Sequence, residues 1–116
     1  MITLRNLCQS EPIEIARSNF IDAFNADPTV EMIEDSILDL DLSAAQKAFL
    51  AGTVDELCSI HHVPRPDWIF DSQVYLNEPQ FSMNAKGALR LILLQESPKW
   101  YRSRNLFVSA NCSRRV

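Results

Sequence analysis

Apolar positions along the chain recur at helical spacing in several separate stretches. Ser10, Glu11 and Pro12 form a helix start, because Pro fits a first turn and an acid there complements the helix dipole. Ile13, Ala16, Phe20, Ala23 and Phe24 then share one face, predicting a helix over about residues 11–26. Asp27 and Pro28 repeat the signal. After them Val30, Ile33, Ile37 and Leu38 predict a second helix with Glu31, Glu34, Asp35 and Asp39 on its wet side. Ser43-x-x-Gln46 is a capping box that opens a third. Leu50, Val54, Leu57, Cys58 and His61 carry its stripe to about His62. Gly52, followed directly by a second capping box at Thr53-x-x-Glu56, leaves two forms open: one helix with a weak point, or two short helices joined by a turn.

The prolines of Val63-Pro64-Arg65-Pro66 end that helix, since each forces the preceding residue toward extended geometry. Between Trp68 and Phe81 there is no clean period, which predicts a packed connection with a helical turn or two. Asn84 caps a helix over residues 85–96. Ala85, Ala88, Leu89 and Ile92 form one stripe of it and Leu91, Leu93 and Leu94 cover its other sides. A helix apolar on nearly all faces is central or lies at an interface, so this one is also a candidate homodimer surface. Ser97 and Pro98 stop it and start a short helix through Trp100, Tyr101 and Arg104. Leu106-Phe107-Val108 is the best strand candidate, and Ile2, Leu4 and Leu7 predict a short strand or an ordered arm at the start. The expected architecture is all-α: one helical domain over residues 1–116, a bundle of five or six helices, with one short strand near residues 106–109.

Composition narrows this picture. At 116 residues the chain is long enough for one core and too short for two. Two glycines leave few positions for the positive-φ turns of tight hairpins, which argues against an all-β fold. The longest apolar run, Leu91 to Leu94, is far below the roughly 18 to 20 residues of a membrane span, so no membrane association is expected. The N-terminus lacks the features of a secretory signal, and a cytoplasmic location is expected. Cys8, Cys58 and Cys112 are widely separated and form no C-x-x-C pair, which suggests free thiols.

Charge is divided more sharply than the net −4 implies. Residues 1–85 hold 14 acidic against 4 basic side chains, whereas residues 86–116 hold Glu96 against Lys86, Arg90, Lys99, Arg102, Arg104, Arg114 and Arg115. Such a chain folds its basic end over its acidic part, or offers the two to different partners.

Candidate chemistry is sparse. Cys58 and His61 share a helical face with metal-ligand spacing, but no second Cys/His cluster completes a zinc site. The acids of residues 31–39 lack the central Gly and closing Glu of a calcium loop. A helix-turn-helix over residues 43–62 would present Asp55 and Glu56 to phosphates, with no Lys or Arg beside them. No nucleophile elbow, phosphate-cradling loop or dinucleotide fingerprint is present. The expectation is a non-enzymatic chain without a cofactor. Arg102, Arg104, Arg114 and Arg115, interleaved with Trp100, Tyr101 and Phe107, match the charge and stacking planes that bind single-stranded nucleic acid. The competing reading makes the aromatics core and pairs the arginines with acids of the helices.

One further pattern covers about residues 64–116. It runs Pro64-x-Pro66-x-Trp68, Leu76-x-x-Pro79-x-Phe81, Arg90-x-x-Leu93-Leu94, Ser97-Pro98 with Tyr101, Arg104-Asn105-Leu106-Phe107-Val108 and a closing Arg115-Val116. This stretch resembles a group of small bacterial proteins encoded beside nucleotidyltransferase-like genes and treated as antitoxins. The resemblance implies direct binding of a protein partner, such as a cognate toxin. Trp68, Trp100, Tyr101, Arg102, Arg104, Arg114 and Arg115 are the candidate contacts, because aromatics and Arg dominate interface energies. Nucleic-acid binding through the basic tail is the alternative.

Overall fold

The computed structural model describes residues 2–81, 93 and 96–108. It is mostly helical, with one small two-stranded sheet. Helix α1 spans Leu4–Ser10, where the sequence pattern suggested a strand or an arm. The reason is local: Thr3 accepts a hydrogen bond from the Asn6 amide as N-cap, and Leu4, Leu7 and Cys8 have the i, i+3, i+4 spacing of a helix face. Helix α2, Ile13–Ala26, follows Pro12 as expected and buries Ala16, Phe20, Ile21 and Phe24.

The expected second helix is not there. Only a single 3-10 turn forms, Val30–Met32, and the chain then runs irregularly to Ser43. Ile33 and Ile37 are fully buried as their pattern required, but the carbonyls a helix would use internally are taken by side chains from elsewhere. Trp68 Nε1 donates to the Ile33 carbonyl at 2.8 Å, and Arg5 Nη1 to that of Ser36 at 2.7 Å. Ser36 Oγ meanwhile accepts from the Leu38 amide, a local bond that competes with helix.

Helix α3, Ala44–His61, is the central element. Both arms of its capping box form, and it passes through Gly52 without a break, which resolves the one-or-two-helix question in favour of one. It ends at His62, whose φ of 56° is left-handed. Two contacts fix its direction: Arg17 reaches Thr53 and Asn25 reaches His61, the same sequence offset at both ends, so α2 and α3 run side by side in parallel. A parallel pair needs a long return, and the largely irregular segment from Asp27 to Ser43, anchored by buried Met32, Ile33 and Ile37, supplies it.

Two 3-10 turns, Asp67–Phe70 and Ser72–Val74, form the packed connection and bury Trp68, Ile69 and Val74 against α3. Strand β1, Gln80–Phe81, lies parallel to β2, Leu106–Phe107, with Gln80 opposite Leu106 and Phe81 opposite Phe107. The strand expected near Leu106 thus has its partner. Helix α4, Lys99–Arg102, is the short helix expected after Pro98, ending before Arg104, which lies in the following turn. The helix expected over residues 85–96 lies outside the described residues except at Leu93 and Glu96. Both of these are helical, Leu93 buried and Glu96 exposed. Among the described residues no helix is long and apolar enough to cross a membrane.

Candidate interaction surface

Gly52 and Tyr101 set the position of the C-terminal segment. Tyr101 is fully buried, and its ring packs on the bare backbone of α3 at Gly52. Its hydroxyl enters a polar cluster inside the domain, 3.2 Å from both Thr53 Oγ1 and Arg17 Nη2 and 3.5 Å from Glu56 Oε1. Arg17, itself buried, donates from Nε to Thr53 Oγ1 at 2.8 Å and lays its guanidinium 4.0 Å from the centre of the Phe49 ring.

Arg104 is the largest fully buried side chain among the described residues, 1% exposed. Its Nη1 donates to Asp55 Oδ2 at 3.2 Å and to the Trp100 carbonyl at 2.7 Å, and its Nη2 donates to the Ile69 carbonyl at 2.8 Å. One guanidinium therefore joins α3, the 3-10 turn at Asp67–Phe70 and the end of α4. Asp55 also pairs with Arg65, so a single carboxylate serves two cations. A charge this deep is costly unless its donors are used; both terminal nitrogens are, whereas Nε is buried without a hydrogen-bond partner.

These positions change the roles of three candidate contacts. Tyr101 and Arg104 lie in the interior, Tyr101 with its hydroxyl among Thr53, Arg17 and Glu56 and Arg104 with its donors on carbonyls and Asp55, while Trp68 is 8% exposed and shows only part of its ring at the surface. Trp100 and Arg102 remain outside. Trp100 is half-buried, with Lys99 Nζ 4.4 Å and Arg65 Cζ 5.8 Å from its ring centre. Arg102 is exposed beside it on α4. Arg114 and Arg115 lie outside the described residues.

Sequence reasoning did not single out Arg65 or Lys99. Lys99 adjoins Trp100 in the chain and was legible in principle, whereas Arg65 reaches the ring only through the fold. The result is an aromatic face bracketed by cations on a base that Tyr101 and Arg104 tie to α3. Cation–π contacts of this kind are worth about 0.5 to 1 kcal/mol each at exposed sites.

The residues weighed as metal ligands have other partners. Cys58 is buried with Sγ facing the Pro64 carbonyl, and His61 Nε2 is 2.7 Å from Asn25 Oδ1. Among the described residues no three His, Cys, Asp or Glu side chains gather as a metal site would require. Burial raises the thiols of Cys8 and Cys58 to about 11, which keeps both protonated and weakly nucleophilic at neutral pH. Compared with family models, curated proteins and solved structures, the chain matches none.

Proposed function

We propose that this chain is a protein-binding module, the antitoxin-like partner of a bacterial toxin, which it neutralises by direct contact in the cytoplasm. The observation that carries the reading is the Trp100 face. It combines a half-buried tryptophan, flanking Lys99 and Arg65, and exposed Arg102 on a fixed base. Aromatic and Arg side chains of this kind supply most of the energy at protein interfaces. The resemblance over residues 64–116 supplies the partner class.

The test is co-purification with the product of the adjacent gene, together with rescue of growth when both are expressed. Trp100→Ala combined with Arg102→Glu should abolish capture and leave the fold intact by circular dichroism. Failure of the unaltered protein both to capture and to rescue overturns the reading.

Binding of single-stranded nucleic acid is the second reading, favoured by the same ring and cations. It requires affinity for an RNA or DNA oligonucleotide that falls steeply with salt and disappears in the same double variant.

A further inference from the structure

On the side of the domain formed by the return segment, a groove of about 410 Å3 lies between Val30–Ser36 and Pro64–Trp68. Its volume falls within the range of about 300 to 1,000 Å3 typical of binding clefts. Apolar and aromatic atoms dominate its lining: Val30, Ile33, Pro64, Pro66 and Trp68. Trp68 has its indole N–H committed to the Ile33 carbonyl, so what it offers the groove is ring surface rather than a free donor. Val30 is 40% exposed, a β-branched apolar side chain left in water beside a concave apolar surface.

The rim is acidic. Glu34 and Asp67 line the groove from opposite segments and are exposed, and Glu31 and Asp35, next to the lining residues in sequence, are exposed as well. Arg65, the cation of the lining, shares the Asp55 carboxylate with Arg104 and lies 5.8 Å from the Trp100 ring centre, so the two acids of the lining outnumber one partly compensated cation. The groove therefore presents an apolar floor between unlike segments that carry like charge. Phosphates are repelled by such a rim, and a cationic group beside an apolar one is drawn to it.

We propose that this groove binds a short extended segment of another protein in which a Lys or Arg stands beside an apolar side chain. The apolar side chain covers Val30 and the Trp68 ring, and the cation lies between Glu34 and Asp67. The proposal extends the reading of the chain as a protein-binding module by naming a second surface, remote in charge character from the Trp100 face, and the chemistry it selects.

The experiment uses the full chain without any partner, labelled with 15N. It is titrated with capped hexapeptides that place one Lys or Arg next to Leu, Val or Pro, and with matched peptides carrying Glu in place of the cation. The expected result is a saturable shift of the Trp68 indole N–H resonance with the basic set and none with the acidic set, weakening as salt is raised. Glu34→Gln with Asp67→Asn should weaken binding about fivefold, as expected for two exposed rim charges. Val30→Arg, a change at an exposed position, should abolish binding while the thermal midpoint holds.

Absence of any shift with the basic peptides, equal binding of the acidic set, or binding that survives Val30→Arg overturns the proposal. None of these outcomes bears on capture through Trp100. Conversely, loss of capture with peptide binding intact removes the antitoxin reading and leaves the groove standing.

Discussion

Tyr101 occupies the space where a side chain on residue 52 would begin. A Cβ placed on Gly52 would come within 2.6 Å of Tyr101 Cδ1 and 2.9 Å of Cε1, distances that real contacts do not reach. The glycine is therefore required by packing and not by a turn. Gly52→Ala should raise local helix propensity by about 1 kcal/mol. Because the ring is fully buried and cannot withdraw, overpacking of about 1 to 3 kcal/mol should win and the variant should be destabilised. Chemical denaturation measures the difference. In a Tyr101→Ala background the same change should become neutral or stabilising, and a double-mutant cycle showing no coupling would refute the steric account.

Two arginines of α4 and its following turn should behave oppositely. Arg104→Ala takes the donors away from the Ile69 and Trp100 carbonyls and empties a buried site, while Asp55 keeps its pair with Arg65, for an expected loss of about 2 to 5 kcal/mol. Arg102→Ala, at an exposed position, should stay within about 0.5 kcal/mol of the unaltered protein. Urea midpoints of the two variants decide whether Arg104 is structural. Equal midpoints would place both on the surface.

Alkaline pH should weaken the fold through the thiols. The folded chain holds the protons of Cys8 and Cys58 to about 11, while the unfolded chain releases them near the ordinary cysteine value of about 8.5. The stabilisation from keeping them neutral is thus fully present below the unfolded value and is lost as pH rises toward 11. Thermal midpoints measured from pH 8 to 11 should fall in the unaltered protein and fall less in Cys8→Ala with Cys58→Ala.

At the acid end the relevant pair is Arg5 and Asp39, which ties α1 to the return segment through two hydrogen bonds. The bond to Arg5 holds the Asp39 carboxyl below its ordinary value. Its contribution is present above the unfolded pKa and disappears as pH drops through the lower folded one. Asp39→Asn should lower the thermal midpoint at neutral pH, and the deficit should shrink in acid and at high salt, because the pair is exposed. A deficit independent of both would assign the effect to something other than charge.

Local signals in this sequence match the fold where the local choice and the global one agree. The Ser43–Gln46 capping box, the helix start at Pro12, the proline stop after Val63 and the helical spacing of Phe20 with Phe24 each describe interactions within a few residues, and each element formed. The stripe of Val30, Ile33 and Ile37 identified buried positions but gave the wrong backbone. The side chains that take the Ile33 and Ser36 carbonyls, Trp68 and Arg5, come from distant segments. Gly52 left one helix or two open in the sequence, and only the approach of Tyr101, from a segment far along the chain, explains a glycine in the middle of an unbroken helix.

The sequence alone determined that the chain is mostly helical, where its main helices cap and stop, and that its charge is divided, because these depend on near neighbours and on composition. Only tertiary structure decided which aromatic and arginine side chains are core and which are surface. Trp68, Tyr101 and Arg104 carry the same chemistry as Trp100 and Arg102. Their different fates follow from which of them meets the face of α3 and the carbonyls it packs against, a contact between segments far apart in the chain.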